Sequence, residues 1–183
     1  LRQNNYFTGF CQDIYVHSGL FKDCKSLETV SILGEVRTIG EYAFCKSTVE
    51  NAKFNVPNYN SITIIGTHAF EDASVSGFRI SENLTELGAS AFIGSKGLSS
   101  ELTIPKSLEV VEARVFCCSS GVSKLIIPKT VSKIGEYAFL YMDDLKEVVI
   151  ENSETRLNFG KVYRMEYIFG DSPIKKVLLL FFD

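Results

Sequence analysis

Apolar residues standing two positions apart recur along the chain at a nearly constant interval: Val30/Ile32, Phe54/Val56, Phe78/Ile80, Leu102/Ile104, Leu125/Ile127, Val148/Ile150 and Val177/Leu179. A spacing of two puts both members on one face of an extended segment, so each pair predicts a short strand. The second members Ile32, Val56, Ile80, Ile104, Ile127 and Ile150 follow one another at 24, 24, 24, 23 and 23 residues. A second word alternates with the pairs. It is clearest as Ile134-Gly135-Glu136-Tyr137-Ala138-Phe139 and returns at Ile39–Phe44, Ile65–Phe70 and, slightly altered, Leu87–Phe92. A looser copy runs from Val111 to Phe116, with Glu112 and Val115 in place of the Gly and Ala, and degenerate copies end at Phe21 and Phe169. The terminal Phe residues are 23, 26, 22, 24, 23 and 30 positions apart. Self-similarity at about 20–30 residues is the mark of a solenoid.

Each unit then has a predictable construction. A short helical or 3-10 turn ends in Ala-Phe, a polar turn follows, and a strand completes one wall. Strands repeating at this interval stack side by side in a parallel sheet, because the intervening residues suffice for a crossover of about a dozen residues. Pro105 and Pro128 close their strands by removing a backbone donor. Segments such as Lys129–Ile134 supply apolar residues three apart for the opposite wall. Gly40, Gly66, Gly88 and Gly135 precede the Ala-Phe turn, where a residue without Cβ allows a sharp bend or a positive φ. The Ala permits close contact between coils, and the Phe residues make an aromatic column. The expected fold is an α/β repeat solenoid with a parallel sheet on one side and helical or 3-10 turns on the other. Residues 1–15 read as a cap or damaged repeat, and 16–183 as one solenoid of about seven units. Asn51–Ser61 and Ser153–Tyr163 carry extra residues and read as loops bulging from the coil.

These words resemble the BspA-like, or Treponema-type, leucine-rich repeats, whose pattern is close to L-x-x-V-x-I-P-x-S-V-x-x-I-G-x-x-A-F-x-x-C. Leu102–Leu108 and Ile126–Phe139 match it closely, and the similarity extends over about residues 16–182. The departures are Glu112 and Val115, the missing Pro after Ile32, Ile80 and Ile150, and the longer last unit. The resemblance implies adhesion or host-matrix binding by a surface or secreted protein of a bacterium or protozoan parasite, with a cytoplasmic scaffold as the alternative. It implies a right-handed coil of leucine-rich-repeat type and brings no catalytic residues and no cofactor.

Composition narrows the function classes. A net charge of −3 and a pI near 5.5 argue against a dedicated nucleic-acid binder. The longest apolar run, Val177–Phe182, is far short of the ~18 residues that cross a bilayer. The chain opens at Leu1 without an initiator Met or an apolar leader, as expected either of a chain whose leader has been removed or, the favoured reading, of a piece excised from a longer protein. Five cysteines are too few for a disulfide framework, and Cys24, Cys45 and Cys117 each follow a motif Phe, where a buried thiol packs as a small hydrophobe. Adjacent Cys117 and Cys118 are a weak redox pair. His17 and His68 lie in motif turns with no metal-ligand spacing, and Glu71-Asp72 and Asp143-Asp144 read as solvated turns. No phosphate loop, nucleophile elbow or zinc motif is present, so the chain reads as a non-enzyme. Asn83-Leu84-Thr85 is an acceptor sequon, and Tyr59, Tyr137, Tyr141, Tyr163 and Tyr167 have nothing to bring them together.

The residues flanking the inward pairs must face outward. One column is Thr29, Lys53, Gly77, Glu101, Lys124, Glu147 and Lys176, alternating in sign toward its end. Its neighbour is Ser31, Asn55, Arg79, Thr103, Ile126, Val149 and Leu178, which turns from polar to apolar. An exposed stripe Ile126–Val149–Leu178 would be unusual on a solvated face. Arg79, Thr103, Lys124, Ile126, Glu147, Val149, Lys176 and Leu178 are therefore the candidate contacts for a protein partner. The competing expectation is that a flanking domain or the tail docks at the C-terminal end, whose core would otherwise stay open.

Overall fold

All but one of the alternating pairs become strands, and these stack into one of two walls. In the computed structural model of the chain, residues 14–32, 34–47, 53–56, 58–151 and 166–180 are described. Most of the expected cap at 1–15, the inserted Ser153–Tyr163 and the end of the apolar run at Phe182 lie outside them. The first wall consists of the strands that run into the Gly position: β1 (Ile14–Val16), β3 (Val36–Ile39), β5 (Ile64–Ile65), β6 (Glu86–Leu87), β8 (Val110–Val111) and β10 (Lys133–Ile134). The second holds β2 (Thr29–Ser31), β4 (Lys53–Asn55), β7 (Glu101–Thr103), β9 (Lys124–Ile127), β11 (Glu147–Glu151) and β12 (Lys176–Leu180). Every strand pairing is parallel and joins one coil to the next.

The Ala-Phe segments differ from the expected helical turns. Among the described residues only the last of them is helical, as α1 (Glu166–Phe169), and a separate 3-10 turn spans Tyr59–Ser61. The reason lies in the backbone on either side of each Phe. The residues two before and two after it, in pairs Gly19/Asp23, Tyr42/Lys46, His68/Asp72, Ser90/Gly94, Arg114/Cys118 and Tyr137/Tyr141, take φ between 51° and 65°. A left-handed residue at every fourth position cannot continue a right-handed helix. The segments instead use their donors alternately. Ala43, Cys45 and Ser47 N–H close turns on Gly40, Tyr42 and Phe44, while Tyr42, Phe44 and Lys46 N–H reach Thr67, Ala69 and Glu71 of the next coil. A continuous ladder results, and it leaves few backbone groups unsatisfied.

Inside the coil seven rings form one file. Phe21, Phe44, Phe70, Phe92, Phe116, Phe139 and Phe169 follow with centroids 5.1, 5.3, 5.0, 5.5, 5.8 and 5.4 Å apart and planes within 15° of parallel. These separations fall within the ~4.5–7 Å range of favourable ring pairs. The five central rings are fully buried.

The repeated glycines serve close approach and not positive φ. A Cβ on Gly66 would lie 2.7 Å from Glu41 N and one on Gly135 2.5 Å from Ala113 N, while one on Gly88 would press harder still on Thr67 N. The equivalent position in the intervening coil is Glu112. The same approach there would drive its Cβ into the backbone at Ala89, and the ladder gives way: β6 does not pair with β8, whereas the other first-wall neighbours are paired. The second wall is interrupted beside the same coils. The Phe78/Ile80 pair, expected as a strand, forms none, because Gly77 at its head adopts φ 84° and breaks the extended run.

Candidate functional site

The outward columns of the second wall come together from β7 onward. Register pairs Glu101 with Lys124, Lys124 with Glu147 and Glu147 with Lys176, and beside them Thr103, Ile126, Val149 and Leu178. The expected sign alternation becomes ion pairs: Lys124 Nζ lies 2.9 Å from Glu101 Oε2, and Lys176 Nζ 3.3 Å from Glu147 Oε1. The hydrogen bond to Glu101 holds the Lys124 ammonium above its ordinary pKa. Arg79 is the exception among the candidates, since its segment lies off the sheet.

The apolar column is less open than an exposed stripe would be. Ile126 and Leu178 are half-buried, and Val149 is buried at 6% exposure. Large apolar exposure falls instead on the expected inward residues of β12, with Val177 at 54% and Leu179 at 56%. β12 is the last strand of its sheet, and among the described residues no further coil covers that face.

Beside β7 the interruption of the second wall leaves a cleft of about 790 Å³. Its walls are Gly77–Ile80 on one side and Leu98–Lys106 on the other. Tyr59 holds the first side back: its hydroxyl donates to Gly77 O, and its ring packs edge-on against Phe78. The hydrophobic pattern does not reveal this cleft. Two residues signal it, the Gly at 77 within a strand position and the Glu at 112 in a glycine position.

A second cluster is equally hidden in the pattern. Tyr42 and His68 stack with planes 4° apart, Lys22 lies over the Tyr42 ring, and His68 Nδ1 is 2.9 Å from Glu71 Oε2. That contact does not have the geometry of a hydrogen bond. The Cys45 thiol points at the same carboxylate at 3.6 Å, and burial together with Glu71 pushes its pKa up to about 11. Cys117, 3.4 Å from the Cys118 sulfur, is pushed up to about 12 by burial and that neighbour. Thiols so shifted stay protonated at neutral pH, the opposite of an activated nucleophile. No group of three His, Cys, Asp or Glu among the described residues could hold a metal ion. No described helix is long and apolar enough to cross a membrane. Asn83 is exposed and donates to Asn60 O, and Tyr137 lies under Arg114, away from Tyr59.

The pattern of one buried Phe, one close-approach glycine and two parallel rungs per coil matches a known sequence family over most of the chain. The profile of the BspA-type leucine-rich repeat region fits residues 12–62 and 52–169 in six copies. The chain belongs to the BspA-type leucine-rich repeat family. Members of such repeat families are generally protein-interaction modules. Two solved structures are similar to this BspA-type chain. One is a leucine-rich cell surface protein from Faecalibacterium prausnitzii A2-165, 15% identical, covering 89% of this chain and 62% of its own, with a TM-score of 0.45. The other is a leucine-rich repeat protein from Bacteroides ovatus ATCC 8483, 16% identical, covering 92% and 60%, with a TM-score of 0.32. The chain thus spans under two thirds of the length of either. No curated protein matches it at a significant level.

Proposed function

We propose that the chain is a non-enzymatic binding module that grips a protein partner through the strand face of β7, β9, β11 and β12. The observation that carries this reading is the register. Four adjacent rungs present Glu101–Lys124–Glu147–Lys176 beside Thr103–Ile126–Val149–Leu178, fixed by parallel pairing and two ion pairs. Strands about 4.8 Å apart make this a rigid strip, with little side-chain freedom left to lose on binding. Arg79 lies next to the strip and extends it across the cleft. The habit of the family, in keeping with the sequence words, supports adhesion at a cell surface or in secretion, with host or matrix proteins as partners.

The test is a surface-plasmon-resonance screen of the chain against purified matrix proteins and intact host cells. Ile126→Asp with Val149→Asp is expected to abolish the response while the circular dichroism spectrum stays native. Because Val149 is buried, the charge exchange Lys124→Glu with Glu147→Lys serves as a companion that breaks the alternation of sign along the strip at unchanged net charge. Retained affinity in both folded variants rules the strip out. The second reading, a scaffold segment within a larger assembly, is favoured by one observation, the exposure of Val177, Leu179 and Leu180 on β12. A flanking segment seated there would protect the β12 amides from exchange.

A further inference from the structure

The second wall opens beside β7, and the opening is bounded at both ends. On one side the coils touch through the parallel bridge Ser74–Lys96 and through Gly97, where a Cβ would collide with Ser76 Oγ. On the other, the Ser107 hydroxyl lies within hydrogen-bond reach of two carbonyl oxygens, Glu82 O at 2.9 Å and Leu84 O at 2.6 Å. Between these stitches the cleft has an apolar floor of Phe78, Leu98 and Leu102, all buried.

The β7 edge that faces it carries unused backbone groups. Ser100 O accepts from Lys124 N–H, and Ile104 N–H donates to Ile126 O, so residues 100, 102 and 104 direct their backbone groups to β9. In a parallel ladder alternate residues bond to opposite neighbours. Glu101 and Thr103 therefore aim their N–H and C=O groups into the cleft, where among the described residues no strand meets them. The charge at the rim is asymmetric. Glu101 is ion-paired with Lys124, whereas exposed Arg79 and Lys106 form no ion pair among the described residues, although Glu82 also lines the opening.

We propose that this cleft binds an extended peptide carrying a carboxylate. Its backbone would add to the β7 edge through Glu101 and Thr103, and its carboxylate would meet Arg79 and Lys106. Main-chain bonds give such strand addition its affinity, and a paired cation fixes the register. At about 3.3 Å per residue, the two outward residues of β7 accommodate a segment of about four or five residues. The proposal rests on the binding-module reading and narrows it to one place and one chemical class.

The experiment selects random heptapeptides displayed on phage against the whole chain. The enriched sequences are then made as labelled peptides in four forms: acidic residue kept or amidated, C-terminus free or amidated. Fluorescence anisotropy is expected to rise with any form that retains a carboxylate, and the four forms tell a side-chain carboxylate from a terminal one. Thr103→Pro removes the cleft-facing donor yet leaves the bonds to β9, and it is expected to weaken binding about tenfold or more. Arg79→Gln with Lys106→Gln is expected to weaken the carboxylate forms alone, by a similar factor. Unchanged melting temperatures in both variants keep the comparison fair. No enrichment, or binding indifferent to both variants, overturns the proposal. Should the peptides lose affinity for Ile126→Asp instead, the cleft is excluded and the strand-face reading survives.

Discussion

Two residue types do most of the structural work, for different physical reasons. Each Phe of the central file is sealed from solvent and contacts a ring above and a ring below, so its loss leaves a void that its neighbours cannot both fill. Phe92→Ala is expected to cost about 3–5 kcal/mol, read from the urea midpoint. Gly66→Ala adds only a methyl group, but one 2.7 Å from backbone that has nowhere to retreat, and overpacking of this kind costs about 1–3 kcal/mol. The Phe file was legible in the chain, because an aromatic recurring at the interval of the strands occupies the same place in every coil and must meet its own copies there. The role of the glycines was not, since what a missing Cβ makes room for is the preceding coil, and that is seen only once the coils are stacked. Cys45 supplies a pH test. Its folded pKa is raised from 9.0 to about 11, so its contribution to stability is intact below pH 9 and declines as pH climbs toward 11. Melting temperatures followed from pH 8 to 11 should fall less steeply in Cys45→Ala than in the parent.

At the scale of elements, the strands of the second wall could be placed from the interval alone, and so could the ion-paired column on their outer face. The turn that carries each Phe could not. Its left-handed positions include Tyr42 and Arg114, residue types that give no hint of positive φ. They are held there by bonds to the next coil that a helical segment would have spent on itself. The Phe78/Ile80 pair misled for the reverse reason. Its spacing is that of a strand, but Gly77 takes a conformation that no strand contains. The departure at Glu112 invites a direct test. Glu112→Gly permits β6 and β8 to close, gaining two or three hydrogen bonds worth about 1 kcal/mol each. Against this stands about 0.5–1 kcal/mol of added unfolded-state freedom. The balance favours stabilisation by about 1–2.5 kcal/mol, accompanied by slower amide exchange at Val110 and Val111.

For the whole molecule, stacked coils convert a short motif into a long and stiff surface. That surface is what the proposed partner would read, and Ile126→Asp with Val149→Asp tests it without touching the Phe file. The coils carrying Phe92 and Phe116 are joined differently from the rest. Counted from rung to Phe, these two coils meet through no paired strands beyond the single bridge Ser74–Lys96, because the Phe78/Ile80 rung does not pair with β7 nor β6 with β8. On the Phe side Ser90, Phe92 and Gly94 N–H still reach Ala113, Val115 and Cys117 O at 2.8–2.9 Å. The arrangement is that of a book with its spine intact and its pages free. Held by its two ends and stretched, the molecule will part at that joint before any other, and the force at which it yields will rise when Glu112→Gly lets the pages bind.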